Sequence, residues 1–403
     1  MEIFTKVGIE KIGIFIPKEY INLESLAEYR GVDPRKWTVG IGQDYMSVLS
    51  VDQDIISMGA NACLKILDEE DKEKIDQIIF ATESSLDFSK ASSTYIHKLL
   101  KIQPFAKSYE IKQACYSATA AIQNALDYVR LRPDRKVLVI SSDVSKYGLN
   151  SSGEVTQGAG AIAILISSKP KVMEITSKSI SHTENAFDFW RPTYSDYPLV
   201  EGKYSTELYI KVFITIVKEF SNRYKGTISS LDAIIFHLPF SKMGMKAIKA
   251  LEEEIEKGNL VLEEDIEDRF ELWYENYEKS IIYGKQVGNI YTGSLYLGLI
   301  SLLMNANLAD GSEIGLFSYG SGAVAELYTG ILSENYQNYL YRQDIESLLD
   351  RRREMTIEEY ERDYANYRYT ENLGDIDNSK REVEEGFYLY KVVDDKRYYK
   401  LKE

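Results

Sequence analysis

Three short segments recur in the same order along this chain, and no other feature restricts its fold as much. Ile75-Asp76-Gln77-Ile78-Ile79-Phe80 returns as Leu231-Asp232-Ala233-Ile234-Ile235-Phe236, 156 residues later. Gly158-Ala159-Gly160-Ala161-Ile162-Ala163 returns as Gly320-Ser321-Gly322-Ala323-Val324-Ala325, at an offset of 162. A fainter echo joins Lys112-Gln113-Ala114-Cys115 to Lys285-Gln286-Val287-Gly288 at an offset of 173, each leading into an apolar helical pattern. The first pair reads as buried strands, short β-rich apolar runs that follow polar or charged segments. Three echoes in one order predict a duplicated α/β unit, with halves at 1–170 and 171–403. The offset rises from 156 to 173 between the Ile75 and Lys112 segments, so the second half carries extra residues there. Their place is about 251–271, where ten acidic residues stand against Lys257 and Arg269, the pattern of a solvated, charged helical excursion. From about Tyr336 onward the chain turns tyrosine-rich. There Thr356-Ile357-Glu358-Glu359 spells a capping box that opens a helix, and Phe387 to Lys400 reads as a hairpin around Asp394-Asp395-Lys396.

Composition removes several function classes. Two cysteines in 403 residues, with no CxxC and no Cys/His cluster, leave neither a disulfide framework nor a zinc site of usual spacing. The first residues lack the basic and apolar regions of a signal peptide. The longest apolar stretch, about Leu295 to Met304, contains Gly298 and Ser301 and falls far short of the roughly 20 residues a bilayer requires. A net charge of −15 argues against nucleic acid as a partner. The expectation is a soluble, cytoplasmic protein with no membrane partner and no metal.

Three ionisable groups then draw the eye. Cys115 opens a run of small residues, Ala114-Cys115-Tyr116-Ser117-Ala118-Thr119-Ala120-Ala121, ahead of a helical pattern. A thiol at a helix start meets unpaired N–H groups and the positive end of the dipole, which favour thiolate. A cysteine can equally be a small apolar core residue, and Cys63, among Ala60, Leu64 and Ile66, reads that way. The first repeated strand runs into Thr82-Glu83-Ser84 and the second into His237-Leu238-Pro239. Ligands of open α/β sheets bind outside the carboxyl ends of strands. Glu83 and His237 can therefore face one cleft, Glu83 as acid or base and His237 as a donor to a carbonyl oxygen. Glu83 can also be a loop carboxylate capping the next helix. His97 reads as a helix-surface or packing residue, and His182 as part of a loop. Gly158-Ala159-Gly160 and Gly320-Ser321-Gly322 are not dinucleotide fingerprints. Their glycines permit close backbone approach to a ligand, and the N–H groups of Ser321 and Cys115 could pair as an oxyanion hole.

Thr82-Glu83-Ser84, Gln113-Ala114-Cys115-Tyr116-Ser117, Phe236-His237-Leu238-Pro239-Phe240 and Gly288-Asn289-Ile290-Tyr291-Thr292-Gly293-Ser294 together resemble the bacterial 3-hydroxy-3-methylglutaryl-CoA synthase family. So do Gly153-Glu154-Val155-Thr156-Gln157-Gly158-Ala159-Gly160-Ala161 and Ser318-Tyr319-Gly320-Ser321-Gly322-Ala323-Val324-Ala325. The likeness runs from Val7 to about Gly330 and more loosely through the tail. It implies a thiolase-like fold, two βαβαβαββ units forming a five-layer αβαβα sandwich, as a homodimer. It implies Cys115 as acyl-carrying nucleophile, Glu83 as general acid/base and His237 as the group that polarises the second substrate's carbonyl. Tyr147, Thr156, Phe189, Asn289 and the Ser321 backbone match positions lining the acyl pocket. Lys242 and Lys246 match positions near the coenzyme A phosphates; without the resemblance they are a solvated helix face. Trp190 and Phe240 stand where tyrosines are expected.

The implied reaction condenses acetyl-CoA with acetoacetyl-CoA and water through an acetyl-cysteine, giving 3-hydroxy-3-methylglutaryl-CoA in the mevalonate route to isoprenoids. Coenzyme A thioesters are its substrates and no cofactor is expected. Two other readings share the fold: a β-branching synthase acting on a carrier-protein-bound polyketide, and a non-catalytic acyl-CoA-binding or scaffold protein. Gly42 to Ala62 looks closer to the mevalonate branch, and the intact Cys115, Glu83 and His237 set speaks against the last.

Overall fold

The computed structural model describes residues 5–364, 374–383 and 385–403, without the side chains of residues 342 and 343. Nine strands form its main sheet: β1 (Gly8–Phe15), β2 (Ile75–Ala81), β3 (Lys107–Ile111), β4 (Lys136–Ser145), β5 (Gly158–Ser167), β6 (Met173–Thr183), β7 (Ala233–Phe236), β8 (Glu313–Gly320) and β9 (Val324–Leu332). Their spatial order is β7-β8-β9-β6-β1-β5-β4-β2-β3. That order is a palindrome about the β1–β6 pair once the edge strand β3 is set aside. β2 runs parallel to β4, as β7 does to β8, and every pair between β4 and β8 is antiparallel. The duplication expected from the echoes is therefore present, with β2 and β7 in matching places.

The twelve α-helices among the described residues include α1 (Ile55–Leu64), α2 (Ser93–Leu99), α3 (Ser117–Leu131), α4 (Gly202–Arg223), α5 (Met243–Glu256), α6 (Phe270–Ser280), α7 (Ser294–Asn305) and α8 (Ile357–Tyr364). Side chains of a strand alternate between faces, and the cores follow that alternation. Ile78 and Phe80 of β2 pack outward with α1 and α2, while Ile79 and Ala81 pack inward with α3 and α7. In the second half Ile235 of β7 faces the same central helices, and Ile234 and Phe236 face α4, α5 and α6. The result is five layers, α/β/α/β/α. Of the two central helices α7 is the more apolar, and every residue of it from Ser294 to Met304 is buried. Burying this much apolar surface at roughly 25 cal/mol per Å² is what holds the two halves together.

Between α5 and α7 the second half has helices where the first half has β3. The acidic segment 251–271 lies there as the end of α5, a loop and the start of α6. It is less detached than its charge suggests, because Leu251, Leu260, Ile266 and Phe270 are buried. His182 also departs from expectation: it lies within β6, opposite Ala325, not in a loop. His97 sits on α2 with Nε2 at 3.1 Å from the Gln103 carbonyl oxygen, and Cys63 is fully buried on α1. The capping box of α8 is formed, with the Glu359 N–H donating to Thr356 Oγ1 at 3.2 Å and the Thr356 N–H to Glu359 Oε2 at 3.0 Å. The hairpin closes through Asp394 and Asp395, both at positive φ (49° and 58°), the geometry of a tight hairpin turn.

Candidate active site

The glycine echoes explain how the site is assembled. An added Cβ on Gly320 would lie 2.6 Å from the Tyr116 nitrogen and 2.7 Å from the Gln113 oxygen. One on Gly158 would lie 2.7 Å from the Val287 oxygen and 2.8 Å from the Asn289 oxygen. Each half thus inserts a glycine against the turn that leads to the other half's central helix. Their absent side chains make room for backbone, where the sequence had suggested room for a ligand. Cys115 occupies one such turn, just after Ala114 at φ +44° and just before α3. Ser117 Oγ accepts the Gln113 N–H at 2.5 Å and donates to the Ala114 carbonyl at 2.8 Å, which fixes the turn.

Glu83 comes from the end of β2. Behind it lies Asp143, a fully buried carboxylate at the end of β4. Asp143 Oδ1 accepts from Thr82 Oγ1 (2.8 Å), the Glu83 N–H (2.8 Å) and Ser84 Oγ (2.9 Å), and Oδ2 accepts from Thr292 Oγ1 (2.5 Å) and the Thr292 N–H (3.2 Å). Five donors satisfy the group, as a buried carboxylate requires, yet burial still pushes it up to about 6. Arg191 donates to the Glu83 carbonyl oxygen at 2.6 Å.

Cys115 Sγ then lies 2.7 Å from Glu83 Oε1, with the thiol donating. Burial, and after it the charge of Asp143, pushes Glu83 up to about 8. Burial and the Glu83 charge push the Cys115 thiol well above its ordinary value. The dipole-activated thiolate expected from sequence is therefore not the resting form. The thiol keeps its proton and presents it to a carboxylate poised near neutrality, so the pair titrates as a unit.

Tyr147, Phe189 and Tyr291 form a triangle of edge-to-face rings, with centroids 6.0–6.1 Å apart. Asn289 Nδ2 reaches Tyr147 Oη at 3.5 Å, while its Oδ1 accepts from the Tyr291 N–H and Ser294 Oγ, both at 2.8 Å. Burial raises both tyrosine hydroxyls, and the charges of Cys115 and Glu83 add to it, so this cluster borders the reactive pair. Thr156 hydrogen-bonds back to the Gly153 carbonyl of its own turn at 2.9 Å, and Gly153 packs against the Tyr147 ring. The Ser321 carbonyl accepts from Gln113 Nε2 at 3.3 Å, which sets that residue beside the cysteine turn.

His237 ends β7. Its backbone N–H donates to the Phe317 carbonyl (2.8 Å) and its carbonyl accepts from Tyr209 Oη (2.8 Å). The side chain is buried, its Nδ1 has no hydrogen-bond partner, and burial lowers its pKa to about 3. It is a neutral imidazole. Lys242, half-buried, precedes the first turn of α5 with its stem against Gly42, and Lys246, exposed, places Nζ 5.0 Å from the centre of the Phe240 ring.

Three residues escaped the sequence reading as site members: Asp143, Tyr291 and Asp188. Asp188, fully buried, accepts from Tyr319 Oη at 2.8 Å and the Gly322 N–H at 2.9 Å, joining the Phe189 loop to the β8–β9 turn. The available signal was a carboxylate set inside apolar strand or loop sequence, Ser142-Asp143-Val144 and Phe187-Asp188-Phe189. Among the described residues no group of three or more His, Cys, Asp or Glu could hold a metal ion, and no helix is long and apolar enough to cross a membrane.

Comparison with known proteins identifies the family of the chain. Residues 4–171 match the model for the hydroxymethylglutaryl-coenzyme A synthase N terminal region, and residues 173–269 and 251–402 match that for its C terminal region. Hydroxymethylglutaryl-CoA synthase of Enterococcus faecalis is 50% identical over 360 residues, 89% of this chain and 91% of that protein. The polyketide biosynthesis 3-hydroxy-3-methylglutaryl-ACP synthase PksG of Bacillus subtilis is 30% identical over 372 residues, 88% of this chain and 87% of that protein. A crystal structure of HMG-CoA synthase complexed with CoA superposes with a TM-score of 0.90 at 40% identity, covering 98% of this chain and all of that one. With both halves matched over almost their whole length, this chain belongs to the hydroxymethylglutaryl-coenzyme A synthase family.

Proposed function

We propose that this protein condenses acetyl-CoA with acetoacetyl-CoA and water to form 3-hydroxy-3-methylglutaryl-CoA, the activity named for its 50% identical relative. The observation that carries the residue roles is the 2.7 Å contact between Cys115 and Glu83. Glu83 takes the thiol proton as Cys115 sulfur attacks the acetyl carbonyl. The S–CoA bond breaks, and the departing CoA sulfur leaves with that proton. Glu83, ionised again, removes a proton from the methyl of acetyl-Cys115, and the new carbanion attacks the β-carbonyl carbon of acetoacetyl-CoA. The proton returns to the resulting alkoxide, which His237 holds by an N–H donor. Water cleaves the thioester to Cys115 and releases product. Tyr147, Phe189, Asn289, Thr156 and the Ser321 backbone enclose the acyl group, and Lys242 and Lys246 offer positive charge to the coenzyme A phosphates. The free edge of the five-residue strand β3, paired only through β2, offers a place for pairing with a second copy as a homodimer.

Mass spectrometry after mixing with acetyl-CoA alone tests the first step: a gain of one acetyl group on the Cys115 peptide is expected, and its absence beside a labelled control synthase sinks the proposal. Turnover of free acetoacetyl-CoA, in preference to a carrier-bound analogue, separates this activity from that of the 30% identical carrier-protein synthase.

The role of His237 has its own test. His237→Ala is expected to lower condensation about 10²–10³-fold, the usual effect of losing one aligned donor to a developing oxyanion, while acetylation of Cys115 stays near the wild-type rate. Equal losses in both steps would reject this role. A neutral imidazole also cannot set the acid limb of the pH profile. That limb belongs to Glu83: its carboxyl is protonated below about 8 and cannot accept a proton there. Single-turnover rates are therefore expected to rise with pH through about 8 and then level off. A limb centred near the ordinary histidine value of roughly 6.5 would show that another group governs the reaction.

A further inference from the structure

The tyrosine-rich tail is more than packing at one point. Gln157, 3% exposed, is a hub between helix α8 and the segment that carries Tyr147. Its Oε1 accepts the Tyr147 backbone N–H at 2.8 Å and the Tyr364 hydroxyl at 2.6 Å, and its Nε2 donates to Tyr360 Oη at 2.8 Å. The next N–H, that of Gly148, donates directly to Tyr364 Oη at 2.9 Å, and Lys146 Nζ donates to the Tyr364 carbonyl at 2.9 Å. Three consecutive residues, Lys146 to Gly148, are thereby tied to one tyrosine of α8. The far end of the same loop is tied as well: Arg30 holds Glu154 with two bonds (2.8 and 3.0 Å) and Glu361 of α8 with another (2.5 Å).

We infer that Gln157, Tyr360 and Tyr364 are positioning residues, through which the C-terminal helix sets the Tyr147 wall of the acyl pocket. The inference rests on the pocket assignment above. The hub is buried, and each of its polar atoms has a defined partner, so removing one leaves a buried donor or acceptor unsatisfied. The Tyr147 backbone is then free to shift, and a displacement near 1 Å can cost about 10²-fold in rate. The capping box at Thr356 acquires a purpose here: it fixes where α8 begins, and with it the reach of Tyr360 and Tyr364.

Tyr364→Phe keeps the ring and removes only the hydroxyl, and Gln157→Leu removes the hub. Tyr399→Phe serves as control, since it deletes a tyrosine hydroxyl of the same tail that is bonded to Asp54 at 2.6 Å. Two assays are made on the full chain: acetylation by acetyl-CoA, and alkylation of Cys115 by iodoacetamide with Cys63 buried and silent. The hub variants are expected to acetylate about 10- to 100-fold more slowly than wild type. They are also expected to alkylate roughly tenfold faster, because a loosened wall opens more often. Tyr399→Phe is expected to match wild type in both assays even at an equal loss of Tm. Hub variants that track Tyr399→Phe in both assays overturn the proposal. Wild-type protein that alkylates but is not acetylated overturns the functional reading instead, and the alkylation comparison still decides the role of the hub.

Discussion

Cys115→Ser is expected to abolish both acetylation and overall synthesis while leaving the melting temperature almost unchanged. The substitution exchanges sulfur for oxygen at a half-buried position, and a serine hydroxyl can make the same hydrogen bond to Glu83. What it cannot do is give up its proton to that carboxylate. Glu83 is poised near 8, within a few pH units of a thiol but far from an aliphatic alcohol, so the nucleophile is never formed. Cys63 cannot substitute for it: it is fully buried, and burial pushes its thiol far up. The check is the mass of protein mixed with acetyl-CoA, together with turnover under saturating substrates. Retention of more than about a few per cent of wild-type activity would mean that no acyl-cysteine lies on the path.

What the sequence made legible, and what it hid, separates along contact range. The β2 and β7 strands, the α8 cap and the terminal hairpin are local: each follows from residues within a few positions of one another, and each is present. The pairing of Gly320 with the Cys115 turn, and of Gly158 with the Gly288 turn, joins residues more than a hundred positions apart. The repeat placed both partners correctly in each half but did not say that they meet crosswise. Asp143 was hidden for the same reason. Its partners Thr82, Ser84 and Thr292 lie 59–149 residues away, and within its own strand it is only a misplaced charge. The state of Cys115 is not legible in the sequence because a helix terminus is a local feature, whereas the burial and the Glu83 carboxylate that override it come from tertiary packing. A Ser-His-Thr run carries little apolar signal, yet His182 is held in β6 by its pairing with β9, opposite Ala325.

Glu83→Ala is expected to stop catalysis between the two bond-forming steps. Glu83 sits 2.7 Å from the thiol, and a simple expectation would be that acetylation fails first. The electrostatics point the other way. After burial, the causes that raise the Cys115 thiol are the charge of Glu83 and the hydrogen bond to it, followed by the charges of Asp143 and Asp188. Alanine removes the two that involve Glu83, so the thiol pKa falls from its raised position, and hydroxide or water can take the proton in place of the carboxylate. Acetyl-enzyme should therefore still form, more slowly, and accumulate. Condensation has no such compensation, because a thioester methyl group is far too weakly acidic to ionise unaided. General acid–base groups contribute about 10²–10⁴-fold, and a loss of that size in overall synthesis is expected. The rising limb through about 8 should vanish along with the carboxyl that produces it. Quenching the variant after acetyl-CoA addition and weighing it decides the matter: stoichiometric acetyl-Cys115 with no product after acetoacetyl-CoA is added supports two separable roles. An unacetylated variant with native stability would instead make Glu83 the obligatory acceptor of the thiol proton, with acylation as the step it controls.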